Sequence, residues 1–310
     1  MRARQRPADP DSPDISAAKA WDFECVDGDG RVLMRGHDLV NLFFKVTPSY
    51  HSARTNPLGG WLGSPVSALP VPGVTLWQVP LMPEDLCTQS GGICLRIMSQ
   101  VLLSAEERDE WRAFKGNLRR KREWLFGRAA IKEVVRHWVH EQTGELLYPT
   151  DVLVRHDDQG APFVDGWWCQ TLISAPQVSL SHAGEVCLAA ASSPDLAVGV
   201  DLEDVSRVKQ PELILGALAP AELRFVDGLQ GAALTERVLR LWCAKESVAK
   251  CLGTGLQGEP QAFQVVAADA LCENLLVECA WGAVESRVHH SEGTIIAVAM
   301  QMLGDIKVDG

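Results

Sequence analysis

One order of local patterns runs through this chain twice. Apolar residues alternate over 92–103 (Ile93, Leu95, Ile97, then Val101 to Leu103), which predicts a strand. Ser104-Ala105-Glu106-Glu107 has the spacing of a capping box, so a helix is expected to start there. A longer amphipathic helix is expected over 118–142 and a strand pair over 177–191. The succession then returns: a strand over 197–203, a helix from Pro220, a helix near 234–252, and two or three strands through 263–301. Strand, helices and strands in duplicate predict an α+β fold of two similar halves. No repeat is visible in the residues themselves.

With 310 residues, 46% of them hydrophobic, the chain is long enough for real cores. Its net charge of −11 argues against a general nucleic-acid binder, so any anion site must be local. Nine scattered cysteines without a Cys-x-x-Cys pair point to a reducing, cytoplasmic setting and no structural zinc. No segment reads as a signal sequence or membrane span, so a soluble protein is expected. Residues 1–18 read as a disordered lead, and 19–90 as an N-terminal extension with a strand pair around 21–34 and irregular cover over 46–73. The two halves are then expected at 91–198 and 199–305.

Four clusters carry chemical potential. In Val198-Gly199-Val200-Asp201-Leu202-Glu203 the strand period puts Asp201 and Glu203 on one face beside Gly199, which is expected to leave room for a ligand. Two such carboxylates suit a hard cation, although alone they also read as a solvated acidic edge. Trp242, Glu246 and Lys250 share a helical stripe, from which Glu246 can join the strand acids and Lys250 can meet a phosphate; a surface ion pair is the plainer reading. Ser179, Ser181 and His182 precede a turn at Gly184, suiting an anion better than a hydrolase triad. Nine Lys and Arg against two Glu lie between Arg112 and Arg136, either a grip for phosphates or an acidic partner, or a solvated helix face. Two strings are decoys. Gly253-Thr254-Gly255-Leu256-Gln257-Gly258 follows a helix where a dinucleotide fingerprint needs a strand, and Asp27-Gly28-Asp29-Gly30 is a turn lacking the other ligands of a calcium loop.

In order, Gln159-Gly160-x-Pro162, Ser179-x-Ser181-His182, Val198 to Glu203 and Trp242-x-x-Lys245-Glu246-Ser247-x-x-Lys250 resemble the Sfp-type 4'-phosphopantetheinyl transferases from about Gly92 to Ala299. The resemblance implies a pseudo-dimer of two similar α/β halves with coenzyme A between them. It implies transfer of the phosphopantetheine arm to a serine of an acyl or peptidyl carrier protein, as a holo-[acyl-carrier-protein] synthase does, by a monomer with no nucleic-acid or membrane partner. By the same resemblance Asp201, Glu203 and Glu246 would hold Mg²⁺, and Asp201, Glu246 and Lys250 would serve catalysis, with Glu246 or a metal-bound water as base. Arg128, Ser181, His182, Lys245 and Lys250 would contact coenzyme A. Ala161 stands where the family often has Lys, so Arg122 or Lys132 is expected to supply that phosphate contact. Asn56 to Leu62 and Arg122 to Arg128 are similar to transferase domains fused to polyketide or polyunsaturated fatty acid synthases, which would make the strand pair near 21–34 the tail of a dehydratase-like domain.

Two rival functions use the same residues. A magnesium-dependent nucleotide pyrophosphate hydrolase needs no carrier protein, and a non-catalytic carrier-binding module shows no magnesium-dependent coenzyme A binding.

Overall fold

The computed structural model describes residues 2–5, 19–41, 48–88, 92–208 and 211–306, in two units, Met1–Thr47 and Pro48–Gly310. The first is an antiparallel sheet in the order β1 (Arg2–Gln5), β2 (Lys19–Val26), β3 (Val32–Asn41). Its expected turn forms because Asp27 Oδ1 accepts the Asp29 and Arg31 N–H groups (3.1 and 2.8 Å). The expected disordered lead is corrected at Arg2–Gln5, which pairs with β2; residues 6–18 lie outside the described residues.

The second unit opens with α1 (Pro48–Thr55), β4 (Ser64–Pro65), β5 (Val74–Pro80), α2 (Glu84–Thr88), α3 (Ile93–Leu102), α4 (Ala105–Ala113) and α5 (Leu118–Thr143). The hairpin β6 (Leu153–His156)–β7 (Pro162–Asp165), α6 (Trp168–Thr171) and the hairpin β8 (Gln177–Ala183)–β9 (Val186–Ser192) complete one half. The other comprises β10 (Leu196–Asp204), α7 (Pro211–Leu215), α8 (Gly231–Cys251), β11 (Gln264–Ala268), β12 (Asn274–Cys279), β13 (Gly282–Ser291) and β14 (Thr294–Met302). One sheet has the order β4-β5-β9-β8 and carries α5; the second has the order β10-β14-β13-β12-β11 and carries α8. The α+β class is as expected. No helix among the described residues is long and apolar enough to cross a membrane.

The boundary expected at residue 90 moves. β5 pairs with β9 along its whole length, so residues 48–88 are part of the N-terminal half and not an extension beside it. The strand expected at 92–103 is α3: its buried side chains Cys94, Leu95, Met98, Ser99 and Leu102 recur at helical spacing, and the alternation of Ile93, Leu95 and Ile97 is incidental. The helix expected from Pro220 is a 3₁₀ segment, Pro220–Phe225, and the last strands number four. The capping box forms as expected, Ser104 Oγ accepting the Glu107 N–H (3.2 Å) and Glu107 accepting that of Ser104 (2.8 Å).

The duplication invisible in the sequence shows in one matched interaction. Lys132 on α5 donates to Glu107 (2.7 Å) and to the carbonyls of Pro149 and Val152, while the other Glu107 oxygen accepts the Val154 N–H (3.2 Å). Lys245 on α8 donates to Glu222 (2.6 Å) and to the carbonyls of Ala217 and Pro260, while the other Glu222 oxygen accepts the Val265 N–H (2.7 Å). Each Glu also accepts the N–H three residues before it, at Ser104 and Ala219. Both lysines are fully buried. Each half therefore pins its central helix to the helical segment before it and to the first strand of the hairpin that follows. Removing one partner of such a pair leaves an uncompensated buried charge. Lys132→Met and Lys245→Met should each lower the free energy of unfolding by about 3–5 kcal/mol, read from urea denaturation. A loss below about 1 kcal/mol, the scale of an exposed pair, in either variant would contradict the pairing.

Candidate active site

On β10 the strand period separates two environments. Val198, Val200 and Leu202 pack against Leu76, Leu188 and Ala190 of the first sheet, while Gly199 and Asp201 face α8. Gly199 does not make room for a ligand, as the sequence suggested. A Cβ there would lie 1.9 Å from the Ser247 carbonyl oxygen and 2.3 Å from the Cys251 nitrogen, so the backbone of α8 fills that space. This approach seats α8 on the strand, with Trp242, Glu246 and Lys250 as its half-exposed stripe.

Asp201 is the centre of the cluster and is buried. Its Oδ1 accepts from Lys250 Nζ (2.8 Å) and Ser181 Oγ (3.0 Å), while Oδ2 is buried without a hydrogen-bond partner. Burial pushes Glu203 up to about 7, with the charges of Asp201 and Glu246 adding to the rise and Lys250 opposing it. Burial also raises Glu246, followed by Asp201, again against Lys250. The three acids named from the sequence are thus electrostatic neighbours. They are not a finished ligand set: among the described residues no three acidic, His or Cys side chains are gathered to hold an ion, and Lys250 supplies the positive charge. Sequence reasoning missed Cys243, whose thiol is raised well above its usual range by burial and then by Asp201 and Glu203. Its place on the Lys250 face of α8, seven residues earlier, is the signal that would have found it.

Other expected contacts are placed differently. Lys245 is sealed in its pair with Glu222 and cannot reach coenzyme A, and Lys132, fully buried on Glu107, cannot replace the missing loop lysine. Arg122 is buried too, spanning the Met82 carbonyl (3.0 Å) and Glu185 (2.8 Å) beside the β8–β9 turn. Arg128 lies 3.5 Å from the centre of the Trp124 ring and donates to Glu110 (3.0 Å), with its Nε buried and unpartnered. With Arg136 holding Glu133, four cations of the basic island are internal braces rather than a surface grip. His182, near the end of β8, is exposed, with its Nε2 3.9 Å from Glu123. The glycine string after α8 is the expected helix end: the Thr254 and Gly255 N–H groups donate to the Ala249 carbonyl.

Glu203 gives a pH prediction. A carboxyl whose pKa is raised in the folded state costs stability when ionised, a cost present above about 7 and gone below its ordinary value of 4.5. Glu203→Gln should therefore raise the melting temperature of the metal-free protein at pH 8 and leave it nearly unchanged at pH 4.5. An equal gain at both would show that Glu203 is not held above its ordinary range.

Residues 197–298 match the family model described as the 4'-phosphopantetheinyl transferase superfamily. Among solved structures, a holo-(acyl-carrier-protein) synthase from Bacillus anthracis str. Ames, in complex with CoA (3',5'-ADP), is similar at 23% identity. The match covers 34% of this chain and 93% of that one, with a TM-score of 0.30. No curated protein matches. The resemblance to phosphopantetheinyl transferases read from the motifs is borne out over 197–298, the stretch holding Asp201, Glu203, Glu246 and Lys250.

Proposed function

We propose that this chain moves the phosphopantetheine arm of coenzyme A onto a serine hydroxyl of an acyl or peptidyl carrier protein in the cytoplasm, releasing adenosine 3',5'-bisphosphate. The observation that carries the reading is the cluster of Asp201, Glu203, Glu246 and Lys250 within the segment matched to the transferase superfamily. The donor chemistry fits Mg²⁺: the Asp201 charge raises the proton affinity of both Glu203 and Glu246, and one buried oxygen, Asp201 Oδ2, has no partner. Asp201, Glu203 and Glu246 would hold the ion, which when bound neutralises charge on the pyrophosphate and activates it for displacement.

The chain's own residues supply the rest. Lys250, half-exposed and now on Asp201, would turn its ammonium to a bound phosphate. Its charge offsets the cluster in the resting protein and the phosphates in the complex. In the transfer a carrier serine oxygen forms a new bond to phosphorus, the phosphoanhydride bond to the adenosine bisphosphate breaks, and the serine proton passes to a base. Glu246 is the candidate: half-exposed, with an affinity for protons raised by burial and by Asp201. His182, exposed beside the β8–β9 turn, would face the anionic end of the nucleotide.

Mass spectrometry of an apo carrier protein incubated with this chain, coenzyme A and Mg²⁺ should show the mass gain of one phosphopantetheine arm. Asp201→Asn and Glu246→Gln should each cut the rate by at least about a hundredfold with the fold intact by circular dichroism. Hydrolysis of the coenzyme A pyrophosphate with the carrier left unmodified would make the chain a hydrolase; no reaction and no coenzyme A binding would leave a carrier-binding module.

A further inference from the structure

Ser181 is spent inside the protein. A serine hydroxyl has one proton to donate and two lone pairs to accept with. Here the proton goes to Asp201 Oδ1 (3.0 Å), and the lone pairs take the Leu202 N–H (3.2 Å) and Lys250 Nζ (3.2 Å). Ser181 is only 7% exposed. Nothing remains on this oxygen for a phosphate, which has only acceptor oxygens and would need the one proton already given to Asp201.

Its neighbours show what it does. β8 and β10 run side by side in the same direction, yet they belong to different sheets and share no backbone ladder. Two serine hydroxyls bridge them: Ser179 Oγ accepts the Val200 N–H (3.0 Å) and Ser181 Oγ that of Leu202. These two N–H groups flank Asp201. The Ser179 bond is a splice between the halves and nothing more. The Ser181 bond continues into the Asp201 carboxylate, fixing Oδ1 so that Oδ2 is the oxygen left unpartnered. His182, next along the strand, points the other way and is exposed.

We propose that Ser181 is a positioning residue that holds the Asp201 carboxylate with one oxygen free for a divalent cation, and that it is not a contact to the nucleotide of coenzyme A. This rests on the transferase reading and departs from the role the family resemblance implies for this serine. The two roles predict opposite responses. A positioning residue changes ion affinity in the absence of coenzyme A; a nucleotide contact changes the KM for coenzyme A.

The test is Mn²⁺ binding to the full chain without coenzyme A, followed by electron paramagnetic resonance, beside the KM for coenzyme A at saturating Mg²⁺. Ser181→Ala should weaken Mn²⁺ binding by about tenfold or more and leave that KM within about twofold. Ser181→Cys, close in size but with a weak S–H donor, should fold like the parent and show the same split, which serves where the alanine variant is unstable. Ser179→Ala should leave Mn²⁺ affinity unchanged while lowering the melting temperature. A raised KM with Mn²⁺ affinity intact in either Ser181 variant would overturn the proposal and restore the nucleotide contact. Parent protein that neither binds Mn²⁺ nor modifies a carrier would instead remove the transferase reading itself.

Discussion

The seating of α8 on β10 at Gly199 governs everything the site can do. A helix whose carbonyl comes within 1.9 Å of where a Cβ would stand admits no other residue there without moving a backbone. Because that contact is so short, Lys250 on the helix reaches Asp201 on the strand, and Glu246 and Cys243 are brought under the influence of the strand acids. A second close pairing, Ser247 Oγ with Ser286 Oγ at 2.9 Å, ties the same turn of α8 to β13 in the middle of the sheet. The helix is thus held twice at Ser247, once through its carbonyl and once through its hydroxyl. Carboxylates that repel one another can be kept in place only by a scaffold that does not yield, and this one is made of backbone.

The strain of gathering acids is offset locally. Lys250 balances Asp201, and Glu203 is left with a proton affinity near neutrality. Sites arranged this way trade stability for function, since the charges that bind an ion or move a proton are the ones a resting protein would shed. The buried pairs elsewhere differ in kind. Lys132 with Glu107 and Lys245 with Glu222 satisfy every acceptor around them with backbone groups and leave nothing for a ligand.

Much of this was legible in the sequence, for definite reasons. The β10 alternation is visible because a strand between a core and a helix must sort its side chains by parity, and Trp242, Glu246 and Lys250 fall on one half-exposed stripe because four-residue spacing leaves no other choice. The capping box at Ser104 was equally plain. What failed depended on partners distant in the chain. Nothing near Lys245 announces Glu222 as its counter-ion, so a lysine inside a reactive-looking motif reads as a ligand contact when it is a brace. Alternation at Ile93, Leu95 and Ile97 mimics a strand because a short helix with apolar residues on more than one face satisfies both periods. β5 lay hidden among prolines and glycines, and its identity depends on pairing with β9, more than a hundred residues later.

The matched lysines also mark where the two halves differ. Each is followed directly by a glutamate, Glu133 on α5 and Glu246 on α8, so the two halves began this turn of helix with the same pair of residues. Glu133 is wholly buried, accepts Arg136 Nη1 (2.7 Å) and the Leu62 N–H (3.3 Å), and is pushed up to about 7 by burial against the pull of Arg136. Arg136 in turn grips the carbonyls of Pro57 and Leu58 (2.8 Å each) and lies 4.7 Å from the centre of the Trp61 ring. Residues 57–62 therefore cover in the first half the position that stays half-exposed in the second. Where the segment lies down, a carboxylate becomes an anchor for a loop; where none does, the same carboxylate faces solvent beside two others and is free to take a proton. The segment read from the sequence as irregular cover is thus the element that makes the two halves unequal.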